Sequence, residues 1–173
     1  DPELDNILSD VLLSGSRVKW PQNKKVLNVR ISYKDLDKIR VMGESEIRTD
    51  GAISTDKLEM DVAGILSFKG EVLVDELMVQ IAGAGNLDLW GSARNFNIEC
   101  AGAGTIKAYD LVSDHIDFEI AGVCNAKVNA RESIRAEIAG IGNINYKGNP
   151  AKVDIERAGF GRIRQVESEG VNI

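Results

Sequence analysis

Three kinds of chemistry are suggested by residue types in this chain, and each must be tested against its spacing. The first is phosphate binding by glycine. "VQIAGAGNLDLWG" (79–91), "ECAGAGTIKAY" (99–109) and "EIAGIGNINYKG" (137–148) all carry an Ala-Gly-x-Gly core. A glycine loop holds a phosphate when it feeds the N-terminus of a helix. "AGAGNLDLWG" departs from G-x-G-x-x-G and continues with strand-like alternation, so it is not a dinucleotide cradle. The second is glycoside cleavage, which needs two carboxylates about 5–9.5 Å apart in unequal surroundings. Glu99 and Glu119 offer such a pair, but in equivalent settings, so nothing separates an acid from a base. The third is nucleophilic or metal chemistry at His115, Cys100 and Cys124. His115 stands in the connection "DLVSDH" with no serine, cysteine or metal partner in sequence reach, and reads as a surface residue. No nucleophile elbow and no metal-ligand spacing occurs. The two cysteines fall at inward phases and read as inert core thiols. On a straight strand they stand roughly 13 Å apart, too far for a disulfide. No catalytic residue, metal or cofactor is assigned.

The elements that must position these residues come from a repeat. The first glycine of each corner falls at Gly43, Gly64, Gly83, Gly102, Gly122, Gly140 and Gly159, at intervals of 21, 19, 19, 20, 18 and 19 residues. Between the corners the apolar residues alternate, as in Leu77, Val79, Ile81, Leu87 and Leu89, or Phe96, Ile98, Cys100, Ile106 and Ala108. A period of two marks strands with one buried face. The glycines keep that phase and read as inward corner pieces, with segments such as "GSARN" as connections. Strands recurring every ~19 residues without helices specify an all-β fold, a single-stranded parallel β-helix with Ala-Gly-x-Gly corners. A propeller needs about twice that period. The domain reading is an N-terminal cap or incomplete first coil over 1–35, β-helix repeats over 36–166, and a tail over 167–173. Within the cap, Val11–Trp20 and Val26–Tyr33 read as strands joined by "PQNKK". In the last repeat Arg157 takes the place of Ile81, Cys100, Ile120 and Ile138, which marks a frayed or lidded end.

Stacking turns equivalent outward positions into columns. One is acidic: Asp61, Glu99, Glu119, Glu137 and Glu156, with Arg40 and Gln80 as departures. Another is largely basic: Arg48, Lys69, Lys107, Lys127 and Arg164, with Asp88 and Asn145 between. These are either binding ladders or two solvated stripes, since carboxylates ~5 Å apart in water repel by only about 1 kcal/mol. Ser67, Asn86, Thr105, Asn125 and Asn143 form a polar ladder read as structural glue. Beside the corners run Met42, Ala63, Ala82, Ala101, Ala121, Ala139 and Ala158, and a candidate interaction surface of Ile65, Ala84, Ala103, Val123, Ile141 and Phe160. Such a strip is covered by another segment, a partner or a second copy, or is sequestered by the corner itself.

Composition bounds the partners. Across 173 residues the net charge is −6, with a pI near 4.9. That disfavours nucleic acid or an anionic membrane surface. No apolar run of 18 residues occurs, so no helical membrane span is expected. No signal peptide is visible, and a chain starting at Asp1 reads as trimmed at its N-terminus.

The recurring "IAGAGNL", "CAGAGTI", "IAGIGNI" and "RAGFGRI", with "YKDLDKIRVMG" upstream and "YKGNP" downstream, resemble the putative auto-transporter adhesin family, or head-GIN domain, of Bacteroidetes-type bacteria. The resemblance spans roughly Val26 to Val166, with departures at Ser45, Cys124 and a late start. It implies a secreted or envelope-associated β-helix and supplies no catalytic residues. The expected function is a non-enzymatic adhesive, scaffolding or binding module acting through its surface columns, with a protein or glycan partner or a second copy of itself. The alternatives are a pectinase-like carbohydrate-binding or carbohydrate-cleaving protein, or a binder of apolar or lipid ligands.

Overall fold

Alternating side chains and periodic glycines build a stack of coils. The structure, a computed structural model, describes residues 7–13, 16–21 and 32–167, with side chains from 32 onward. Its strands are β1 (Ile7–Leu13), β2 (Ser16–Pro21), β3 (Lys38–Val41), β4 (Glu44–Val62), β5 (Ile65–Ile81), β6 (Ala84–Cys100), β7 (Ala103–Ile120), β8 (Val123–Ile138), β9 (Ile141–Lys147), β10 (Lys152–Arg157) and β11 (Phe160–Gln165). From β3 onward each pairs in parallel with its equivalent one coil away. The result is the β-helix read from the period, a β-solenoid of about seven turns. No helix occurs among the described residues, and none is long and apolar enough to cross a membrane.

The strands are longer than the sequence suggests. Gly91, Ser92 and Ala93 of the supposed connection "GSARN" pair with Val72, Leu73 and Val74, so the ladder runs from one Ala-Gly corner almost to the next. Gly91 makes this bend at φ +113°, a left-handed conformation that suits glycine. Inward alternation gives one continuous core, including Phe68, Phe96 and Phe118. Each phenylalanine belongs to a different coil, so stacked coils share the burial that no coil achieves alone.

The corner has a chemical logic of its own. Ala101 N and Gly102 N both donate to the Ile81 carbonyl, at 2.9 and 3.0 Å, while Ala103 N donates to the Gly83 carbonyl at 2.9 Å. The same three bonds recur at the other corners. A Cβ on Gly102 would stand 2.0 Å from the Gly83 oxygen, and Gly64, Gly83, Gly122, Gly140 and Gly159 meet the preceding coil in the same way. The first glycine therefore points its missing side chain along the stack, not into the core. This corrects the expectation that both corner glycines face inward. The second does at Gly85, Gly104 and Gly142, where a Cβ on Gly85 would meet Ile81 Cδ1 at 2.9 Å, but at the last corner Gly161 meets the Gly142 backbone instead. Ser45 and Leu66 occupy that second-glycine column in the early coils, and the opening coil still pairs in register through Glu44–Arg48.

The two ends differ. At the N-terminal end, β1 pairs antiparallel with both β2 and β3, through Val11↔Val41 and Leu13↔Ile39 in the latter case. The run Val11–Trp20 is thus the end of one strand and most of another, on either side of residues 14–15. Of the second expected strand, Val26–Tyr33, all but the last two residues lie outside the described residues, as does the "PQNKK" turn beyond Pro21. At the other end, Arg157 lies in register with Ile138 but is exposed, and its Nη1 donates to the Gly161 carbonyl at 3.1 Å. The guanidinium escapes burial because no further described coil covers it.

Candidate functional site

The coil presents two broad outer faces separated by the Ala-Gly ridge. On the face before the ridge, Asp61, Gln80, Glu99, Glu119, Glu137 and Glu156 lie in register on successive coils. Local partners neutralise much of this column. Arg40 Nε pairs with Asp61 at 2.9 Å, Gln80 Nε2 donates to Glu99 at 3.1 Å, and Arg135 pairs with Glu137. The Glu137 carboxylate, followed by that of Asp117, holds the Arg135 guanidinium above its usual pKa. No group of acidic, histidine or cysteine side chains among the described residues has the arrangement of a metal site.

The face after the ridge is different. Ile65, Ala84, Ala103, Val123, Ile141 and Phe160 fall in one column. Ile65 is 54%, Ile141 46% and Phe160 80% exposed, so the corner does not sequester these side chains. Next to it, Asn143 Nδ2 donates to Asn125 Oδ1 at 3.1 Å, one rung of the expected ladder. Beyond that runs the basic column. Outside this column Lys38, Arg40, Lys57, Arg94, Arg131 and Arg135 are each ion-paired. After the ridge, Arg48 pairs with Glu46, but Lys69, Lys107, Lys127, Lys147, Arg162 and Arg164 have no ion pair among the described residues. Lys147 Nζ lies 4.6 Å and Lys127 Nζ 5.9 Å from the Tyr109 ring centre, as cation–π contacts do. Sequence reading missed Tyr109 and Lys147, because a register shift around Asp88/Trp90 moves Tyr109 out of the regular columns. A shallow depression of about 110 Å³ lies on this face, lined by Arg48, Ser67, Lys69, Asn86, Asp88 and Lys107 among others. It is far smaller than an ordinary small-molecule pocket.

His115 is not alone, contrary to the expectation from its sequence neighbours. Its Nδ1 stands 2.8 Å from Ser133 Oγ and its Nε2 3.4 Å from Glu132 Oε2, both on the following coil. A serine, histidine and carboxylate therefore meet, but at an exposed site. Ser133 lies within β8 and pairs on both sides, with His115 and Lys152, so its backbone belongs to the ladder and does not form an oxyanion-binding turn. The signal was present only across a coil of 18 residues, a spacing at which serines have no special meaning until the register is known.

The cysteines also change place. The ridge bends the chain between Cys100 and the Gly104 level, on which Cys124 stacks in register. The straight-strand separation of roughly 13 Å therefore does not apply. The point where a Cβ on Gly104 would stand is 3.2 Å from Cys100 Sγ and 3.6 Å from Cys124 Sγ. Cys124 hydrogen-bonds to Cys100, which lowers the Cys100 pKa and, together with burial, raises that of Cys124.

A family model described as "putative auto-transporter adhesin, head GIN domain" matches residues 7–150. Among solved structures the chain is similar to a putative adhesin from Bacteroides fragilis, with a TM-score of 0.68 and 24% identity over 90% of this chain and 76% of that one. At that identity the likeness carries the fold alone. No curated protein matches the chain.

Proposed function

The chain belongs to the putative auto-transporter adhesin, head GIN domain family, and from that premise we propose that it is a non-enzymatic binding module of the cell envelope or its surroundings. The family name supports an adhesin-like role at the cell surface. Our reading adds a contact face and a class of partner. The face is the sheet after the ridge, and the partner is a polysaccharide carrying carboxylate or sulfate groups.

The observation that carries this reading is the unpaired cations on that face, in a protein whose net charge is −6. Lys107 and Lys127 are in register on adjacent coils. Their ammonium groups fit anions, while the amide column offers both donors and acceptors, as sugar hydroxyls do. The exposed apolar column suits the C–H faces of sugar rings. Successive coils lie roughly 4.8 Å apart, so each contact repeats along an extended chain and weak contacts add by multivalency. The antiparallel strands β1 and β2 act in this reading as the cap of a β-helix body running to residue 166.

The open surroundings of His115 support the absence of catalysis. The proposal is tested by biosensor binding to immobilised alginate and dextran. Alginate should be preferred, with affinity falling steeply between low and physiological salt. Lys107→Glu combined with Lys127→Glu should lower it at least tenfold, and Ile141→Asp several-fold, with circular dichroism unchanged. Equal binding to both polymers, binding to neither, or indifference to the lysine changes would sink the reading.

A further inference from the structure

Two departures from the repeat fall at one point in space. Before each corner an inward side chain fills the volume above the second glycine: Ile81 Cδ1 lies 2.9 Å from the Cβ position of Gly85, and Ile138 Cδ1 3.0 Å from that of Gly142. The first of these columns is broken by Cys100 and the second by Cys124. The breaks compensate in volume, since a smaller residue replaces isoleucine where a larger one replaces glycine. They also bring two thiols together over Gly104, with Sγ atoms 3.2 and 3.6 Å from one shared point. Both side chains are buried, at 1% and 0% exposure.

We propose that Cys100 and Cys124 are a disulfide-forming pair that staples two adjacent coils across the ridge. Cys124 stacks directly on Gly104, four residues beyond Cys100, so the bond would tie one coil to the next where their backbones already hydrogen-bond. The oxidant is a small-molecule disulfide of the kind found outside the reducing cytosol. One cysteine thiolate attacks it, releasing one thiol and leaving a mixed disulfide. The second cysteine attacks the protein-bound sulfur and releases the second thiol. Two cysteine thiols are oxidised, the external disulfide is reduced to two thiols, and the protein loses two hydrogens. Cys100 suits the first attack, because the hydrogen bond from Cys124 favours its thiolate. Burial slows this attack in the folded protein, so closure is expected mainly as the coils assemble.

The test refolds the reduced chain in a buffer of oxidised and reduced glutathione, quenches it with acid, then alkylates it in denaturant for peptide mass spectrometry. The expected product is an intramolecular 100–124 disulfide, 2 Da lighter, with neither cysteine alkylated. Its thermal midpoint should exceed that of the reduced form by about 5–10 °C. The double variant Cys100→Ile with Cys124→Gly restores both columns and should show no redox-dependent shift. Two alkylated cysteines, or glutathione retained on either one, would overturn the proposal. So would a midpoint that responds to the redox buffer equally in the double variant.

Discussion

Substituting one glycine of a corner at a time separates its two roles. In Gly102→Ala the new methyl would stand 2.0 Å from the Gly83 oxygen and 2.7 Å from the Ala82 oxygen, both backbone atoms of the preceding coil. Relief requires the corner to move by about 1 Å or more, which takes three hydrogen bonds of 2.9, 3.0 and 2.9 Å beyond useful geometry. At about 1 kcal/mol per bond, with some overpacking, the expected loss is about 3–5 kcal/mol. That is a large share of the roughly 5–15 kcal/mol of a typical domain, and lowers the thermal midpoint by about 10–15 °C. In Gly104→Ala the neighbours are the ends of side chains, Cys100 Sγ at 3.2 Å and Ile81 Cδ1 at 3.3 Å, which yield by small rotations. Alanine also removes glycine's chain-entropy cost in a strand, about 0.5–1 kcal/mol. The second variant should stay within about 1 kcal/mol of the parent. Thermal and guanidinium melts followed by circular dichroism compare the two. Equal losses would refute the assignment of the first glycine to the stack and the second to the core.

Two further outcomes follow from the same geometry. Gly91→Ala combines a left-handed φ of +113° with a Cβ 2.2 Å from the Val72 oxygen, and should cost at least as much as Gly102→Ala in the same melts. His115→Ala and Ser133→Ala should leave any background hydrolysis of p-nitrophenyl acetate unchanged and move the midpoint by less than about 2 °C, since their contact is exposed; a tenfold loss of hydrolysis in both would make the pair a catalytic one.

The coil period and the inward column were legible because burial acts on every repeat alike. Leu77, Val79 and Ile81 announce a strand face without knowledge of what packs on it. The corner glycines were legible as a repeat but not in their reason. Phase alone places Gly83 and Gly85 on the same face, whereas the bend turns the first toward the neighbouring coil's carbonyl. The cysteines are buried as their phase indicates, but their separation was misjudged for the same cause, as a straight-strand distance was carried across a corner. His115 and Ser133 could not be paired in advance, because their contact depends on a register shift between Ser113 and His115. Outward columns such as Glu99, Glu119 and Glu137 needed only the period, and the structure places them in register.

This division of labour bears on where function resides. Core and corner leave little freedom: an inward position must fill volume, and a first glycine must admit a carbonyl at about van der Waals contact. Outward positions are held in register by that frame but are not dictated by it. Residues that repeat outward without structural need therefore carry more functional information than the glycines that dominate the sequence. Asp88 stands in register between Lys69 and Lys107 without an ion pair to either, whereas Lys38 and Arg40 pair with Glu59 and Asp61 one coil away. Lys127 goes further, since its neighbours in register are Lys107 and Asn145 and no carboxylate of its own column lies one coil away. The adjacent lysines Lys107 and Lys127, neither of them ion-paired, beside an exposed apolar column, are the part of this face on which the proposed recognition rests.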